Sequence, residues 1–260
     1  MKIIIVVCAL FLVVAGCAAT GSKTSPELDA AASGQRNPAA AEAARNLGEA
    51  YLAGGNLIAA LQQLKRAEML NPEDHITMYD IGLVYYYRGR YDQAVEYLQQ
   101  AIKLKPGYAP AINSLGNAYS AMGEWDKAIE AYERIIEDAF YGTPHFALSN
   151  MALAYYNKKD FDQAERHFQE ALKMNPDFIN ALGGLGILYI EQGRYEEAVS
   201  KLERAVRKEP KAAQLRFELG RAYLGVGDKA RAKAEFARAA ELAPDTPLAA
   251  DALRELRKIP

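Results

Sequence analysis

The chain has 260 residues, 50% of them hydrophobic and 25% charged, which is ample material for a packed core. Its 31 Lys and Arg are balanced by 33 Asp and Glu, so the basic excess that drives phosphate binding is missing and the composition argues against nucleic acid as a partner. Two Cys and three His argue against a disulfide scaffold and leave too few ligands for a structural zinc site.

Met1 and Lys2 give a short positive start, and residues 3–15 are an apolar run of about 13. A bilayer-spanning helix needs roughly 20 residues, so this run reads as a secretory signal and not as a permanent anchor. It ends in Val14-Ala15-Gly16-Cys17, which resembles the bacterial lipobox. That resemblance implies cleavage after residue 16, acylation of Cys17 and membrane attachment through lipid. Each buried acyl methylene contributes about 0.8 kcal/mol, and two or more chains anchor stably. Cys8 falls in the removed segment, so the mature chain can form no internal disulfide and packing alone must stabilise it. Ala18 and Ala19 follow Cys17 with no Asp. By resemblance to Gram-negative lipoproteins, this implies the outer membrane, facing the periplasm. Residues 17–39, rich in Ser, Thr, Gly, Ala and Pro, read as a flexible tether. About twenty such residues have an r.m.s. span of roughly 25 Å.

From residue 40 to residue 244 one period governs the chain. Pro72, Pro106, Pro176, Pro210 and Pro244 are spaced by 34, 70, 34 and 34 residues. Tyr51, Tyr85, Tyr119, Tyr155, Tyr189 and Tyr223 share the spacing, as do Ala60, Ala94, Ala128, Ala164, Ala198 and Ala232. Leu47, Ile81, Leu115, Met151, Leu185 and Leu219 are each followed by Gly or Ala. This pattern resembles the tetratricopeptide repeat (TPR), a helix pair of 34 residues. Six repeats follow at about 41–74, 75–108, 109–144, 145–178, 179–212 and 213–244. The expected fold is all-α: a right-handed α-solenoid of about six TPR helix pairs with a capping helix over 245–260.

The local chemistry agrees. In repeat two, Met78, Ile81, Gly82 and Tyr85 line one helix face; Gly89 to Asp92 break the helix; and Ala94, Leu98 and Ala101 line a second. Small residues let the two helices approach, and the aromatic fills the wedge beside them. One pair cannot bury its own apolar face, so stability is shared along the array.

Repeat three departs from the pattern, with Ile135 and Phe140 at the usual Ala and Pro positions. Two extra residues fall in Glu137 to Pro144, where Thr143 and Pro144 read as N-cap and first turn of the next helix. At the end of the chain, Leu248, Ala252, Leu253 and Leu256 form the apolar stripe expected of a cap.

No catalytic constellation is visible. His75, His145 and His167 lie far apart in the array without a matching nucleophile. No phosphate-binding Gly loop follows a strand, and there is no metal-ligand spacing. The reading is of a non-enzyme with no cofactor, no metal and no small-molecule substrate. What remains is recognition by the hollow side of the solenoid. If repeat positions 4, 7, 8 and 11 pack inward, positions 5, 9 and 12 form a second stripe facing the groove. That places Tyr79, Leu83 and Tyr86, with Tyr87 beside them, in repeat two. Asn113 and Asn117 follow in repeat three, Leu153 and Tyr156 in repeat four, and Ile187 and Ile190 in repeat five. Asn amides can bond a peptide backbone while Tyr and Leu supply apolar pockets. The Lys/Arg/Asn set with which chaperone-tail TPR clamps grip a terminal carboxylate is missing at these positions.

Lipobox, tether and six repeats, with the acidic-then-Tyr insertion Glu137-Asp138-Ala139-Phe140-Tyr141 leading into Phe146 to Leu153, resemble the type IV pilus biogenesis lipoproteins of the PilF/PilW/Tgl family. The resemblance implies a pilotin, which helps secretin subunits localise and assemble in the outer membrane. A generic periplasm-facing TPR lipoprotein that scaffolds envelope complexes is the alternative.

Overall fold

The computed structural model describes residues 36–136 and 142–260. The signal segment, Cys17, the tether to residue 35 and the insertion at 137–141 lie outside the described residues.

Thirteen helices account for the described residues. They pair as α1 (Pro38–Ala53) with α2 (Leu57–Leu70), α3 (His75–Tyr87) with α4 (Tyr91–Leu104), and α5 (Ala109–Met122) with α6 (Trp125–Ile136). Then come α7 (Pro144–Asn157) with α8 (Phe161–Met174), α9 (Ile179–Glu191) with α10 (Tyr195–Lys208), and α11 (Ala213–Gly225) with α12 (Lys229–Leu242). The last, α13 (Pro247–Lys258), closes the array. The six expected pairs and the cap are therefore present. The first helix starts at Pro38, so residues 38–39 belong to it and not to the tether. The cause is local: Pro38 needs no N–H partner at the first turn, and the Asn37 side chain accepts from the Ala40 N–H at 3.1 Å.

The turn within each pair is built the same way. The backbone N–H of Asn56 donates to the Tyr51 carbonyl at 2.9 Å, and Arg90, Glu124, Asp160, Arg194 and Asp228 donate likewise to Tyr85, Tyr119, Tyr155, Tyr189 and Tyr223. The repeating Tyr thus closes a helix end with its carbonyl as well as packing with its ring. The residue before each donor is left-handed: Gly in five pairs, and Lys159 with φ 66° in the fourth. At α7 the N-cap position is Thr143 with Pro144 in the first turn, but the Thr143 side chain makes no capping bond.

Packing follows the small-against-large rule. A Cβ added at Gly48, Gly82, Gly116 or Gly220 would lie 2.5–2.8 Å from Leu64, Leu98, Tyr132 or Phe236 on the paired helix. Each odd-numbered helix also packs against the next odd-numbered helix, whereas the even-numbered helices pack mainly against the odd helices before and after them. The odd helices therefore form the tighter, inner layer, and their outward side chains line the hollow face.

The ends differ from the middle. Leu47 is 45% exposed, while its counterpart Ile81 is fully buried, because no helix pair precedes α1 among the described residues. At the other end α13 buries Ala249, Ala252 and, partly, Leu256. Leu253, expected on this stripe, is 46% exposed. It sits one helical step round from Ala252, and the small pair Ala249/Ala252 lets α13 approach α12 more closely than a Leu there would.

Candidate functional site

The hollow face is lined by residues of the odd helices, Tyr86, Asn117 and Leu153 among them, together with residues such as Trp125 that start the even ones. Among the described residues it holds a cavity of about 320 Å³ where repeats three and four meet. Tyr86, Asn117 and Leu153, from three successive odd helices, converge there with Trp125, Tyr132 and Asn150. Tyr132 occupies the place that Leu64, Leu98 and Leu202 hold in other pairs, and it is 1% exposed. Its ring packs over Gly116, and its hydroxyl emerges at the cavity to donate to Asn117 Oδ1 at 2.8 Å. Burial pushes this hydroxyl up to about pKa 12, so it is a neutral donor at physiological pH. Asn150 Nδ2 donates to the same Asn117 oxygen at 3.1 Å, joining repeats three and four across the face. No charged side chain lines this cavity.

The same inter-repeat contact recurs at the N-terminal end with different chemistry. Asp80, one repeat before the Ser114 position, meets Glu49 of α1. Asp80 is buried, its Oδ2 has no hydrogen-bond partner, and burial together with the Glu49 charge and hydrogen bond raises its carboxyl to about pKa 8. Arg45 neutralises the neighbouring carboxylates instead: its Nη1 lies 2.6 Å from Asp74 and its Nε 3.2 Å from Glu49. Toward the other end a cavity of about 430 Å³ is formed by Ile190, Phe217, Arg221 and Leu224 with Tyr195 and Glu255. Here Arg221 pairs with Glu218 at 2.8 Å and with Glu191 at 3.5 Å.

The residues expected at the groove fall into distinct settings. Tyr87 is 62% exposed, and Leu153 is also exposed. Tyr86 and Asn117 are half-buried at the central cavity. Tyr79 is half-buried, crosses the Tyr108 ring edge-on at 5.5 Å and hydrogen-bonds Ser114, so it joins repeats two and three. Leu83 and Ile187 are half-buried. Tyr156 tilts against Phe161 at 5.7 Å and faces Arg221, Glu218 and Glu191. Ile190 is only 7% exposed and belongs to the core as much as to the C-terminal cavity. Asn113 stands apart from Asn117, with its Oδ1 buried and unpartnered.

Asn150, Trp125 and Tyr132, with Ala121, Ala154 and Asn157, are the members of the central cavity that the stripe of positions 5, 9 and 12 omits. The signal for Asn150 is the register itself: position 9 of one repeat meets position 6 of the next, as Glu49 meets Asp80. The three His serve packing. His75 meets Tyr108 at 4.8 Å, His145 meets Phe178 at 4.9 Å, and His167 stacks on Tyr155 at 5.4 Å. Among the described residues no group of three or more His, Cys, Asp and Glu is placed to hold a metal, and no helix is long and apolar enough to cross a membrane. The solenoid is the fold of scaffolds and adaptors that act without catalysis.

Comparison with known proteins supports the same architecture. The family model for the Cilia and flagella-associated protein 70 C-terminal domain matches residues 76–258, and a tetratricopeptide repeat model matches residues 26–75. Among solved structures, PilW, a type IV pilus biogenesis factor, is similar with a TM-score of 0.75 at 20% identity, covering 82% of this chain and 98% of that one. The pilF protein of Pseudomonas aeruginosa gives a TM-score of 0.71 at 18% identity, covering 83% and 97%. Among curated relatives, the Hsp70-Hsp90 organizing protein of Triticum aestivum is 36% identical over 55 residues, which is 21% of this chain and 10% of that protein. DnaJ homolog subfamily C member 7 of Mus musculus is 29% identical over 89 residues, 34% of this chain and 18% of that protein. The matches thus span a fifth or less of these two relatives.

Proposed function

Given that the chain belongs to the tetratricopeptide-repeat family of the Cilia and flagella-associated protein 70 C-terminal domain, we propose that it is a docking scaffold: a pilotin, anchored through Cys17 at the outer membrane, that captures secretin subunits for a type IV pilus. The observation that carries this reading is the hollow face, where exposed Leu153 lines a neutral cavity formed by three successive repeats and exposed Tyr87 packs beside the Tyr86 that walls it. Exposed apolar surface beside convergent polar groups is the usual mark of a protein-docking site. The solenoid likeness to two pilus-biogenesis proteins over nearly their whole length supports the fold half of the argument. The lipobox supports the membrane half.

The mechanism needs no covalent step. The acyl chains hold the array at the membrane, and the tether sets how far the groove can reach from it. A subunit caught in the groove is then kept at high effective concentration near the place of assembly. Tyr86, Tyr87, Asn117 and Leu153 supply the accessible centre of the client surface. Tyr79, Leu83, Asn113, Tyr156, Ile187 and Ile190 complete it along the array and hold its shape. The partner is a polypeptide, and the membrane is met through lipid alone.

Deleting the gene and running unboiled membranes on a gel tests the reading. Loss of the secretin multimer from the outer membrane is expected, and a full multimer there would refute it. Cys17→Ser should mislocalise the chain and slow assembly while leaving the helical array intact. The alternative, a scaffold for other envelope assemblies, is supported by the short match to the Hsp70-Hsp90 organizing protein, a protein of an unrelated system. Intact pili with altered envelope permeability in the deletion strain would select it.

A further inference from the structure

The central cavity has a chemistry that narrows its occupant, an inference that rests on the docking reading above. Its walls are the Tyr86 and Trp125 rings, Leu153 and Ala154, and its polar edge is the Asn117–Asn150 pair. Asn117 Oδ1 already accepts from both Tyr132 and Asn150. The Asn117 amide therefore has its donors to offer, and Asn150 retains its own carbonyl oxygen as an acceptor. One free donor group and one free acceptor side by side match the carbonyl and N–H of a peptide main chain.

The walls carry no cation or anion, so a charged side chain entering here would be desolvated without a partner, which costs far more than burying an apolar one gains. At about 320 Å³ the space accommodates a large aliphatic or aromatic side chain. We propose that this cavity seats an uncharged apolar side chain, of the leucine or phenylalanine class, from an extended internal segment of the partner, with the main-chain amide of that segment held by Asn117 and Asn150. A terminal carboxylate is not the ligand, because the cavity offers amides and no cation to receive it.

Trp125 is the only tryptophan of the chain, so its emission reports this cavity alone. The probes are short peptides blocked at both ends, identical except for one central residue: leucine, phenylalanine, lysine or glutamate. Saturable change in Trp125 emission is expected with the leucine and phenylalanine peptides. At least tenfold weaker binding is expected for the lysine and glutamate peptides, and for a leucine peptide ending in a free carboxylate at that residue. Leu153→Lys places a charge at the mouth from an exposed position and should abolish the response. Asn150→Ala should weaken the leucine peptide about fivefold, while Asn117 Oδ1 keeps its bond from Tyr132 and the helices keep their stability. Equal binding of charged and apolar peptides, or retention of the response in Leu153→Lys, would overturn the proposal. If no peptide alters the emission while a secretin subunit still binds the chain, the cavity assignment falls and the scaffold reading stands. If the apolar peptides bind as described and secretin subunits do not, the cavity assignment stands and the pilotin reading falls.

Discussion

Replacing Gly116 with Ala sets the packing of the array against helix propensity. The new Cβ would lie 2.5 Å from Tyr132 Cε1, closer than any relaxed carbon contact. The ring has little room to retreat: Tyr132 is 1% exposed and its hydroxyl is fixed to Asn117 at 2.8 Å. Forcing a methyl into such a seat costs about 1–3 kcal/mol. Ala in a helix interior returns up to about 1 kcal/mol relative to Gly. The expected net effect is a destabilisation of about 1 kcal/mol, centred on α5 and α6. Gly54→Ala is the matched control, since its Cβ would meet the Ala50 and Tyr51 carbonyls at an ordinary 3.5 and 3.6 Å and its φ is −80°. That change should stabilise by about 0.4–1 kcal/mol. Because repeat arrays unfold in units, urea titration followed by circular dichroism should be joined to amide hydrogen exchange read helix by helix. Exchange in α5 and α6 should quicken about fivefold in Gly116→Ala and slow in α1 and α2 of Gly54→Ala. A Gly116→Ala protein as stable as the parent would refute the idea that small residues on inner helices are seats for large ones on outer helices.

Other consequences can be measured alongside. Asp80 carries a carboxyl raised by burial, then by the charge and hydrogen bond of Glu49, to about 8 from an ordinary value near 4. The protonated form is favoured in the folded state, so its stabilising contribution is complete below about pH 4 and disappears as pH climbs through about 8. Urea midpoints of the parent should therefore fall between about pH 5 and about pH 8.5, and Asp80→Asn should flatten that fall; an unchanged slope in the variant would contradict the assignment. Tyr132→Phe removes a bond at the cavity and should cost about 1 kcal/mol in urea titration, with the ring packing on Gly116 retained. Tyr87→Ala, at an exposed position of the inner layer, should weaken capture of a partner several-fold while moving the urea midpoint by less than about 0.5 kcal/mol equivalent.

Much of the array was legible because its signals are periodic and redundant. Tyr85, Gly82, Ala94 and Pro106 each mark a different physical requirement — turn closure, helix approach, tight packing, helix exit — and all return at one spacing. Side-chain exposure was legible where helix geometry alone decides it, as at Tyr87 and Leu153. It was less complete where a neighbouring repeat decides the outcome. Ile190 lies on the stripe but is covered by the next repeat, and Tyr79 is tied to Tyr108 and Ser114. Asn150 meets Asn117 only through stacking of repeat four on repeat three, and Tyr132 reaches it across its own pair from a position that is Leu in most other repeats. Leu253 shows the same limit at the cap, where a one-step rotation exchanged it for Ala249.

Site-specific photo-crosslinking in cells tests the docking claim most directly. Tyr87 on the inner layer and Met69 on an outer helix are equally accessible, at 62% and 63% exposure. A photoreactive residue placed at 87 should form an adduct with a secretin subunit, and one placed at 69 should not. Adducts from position 69 alone, or from neither position while secretin multimers still assemble, would contradict the account.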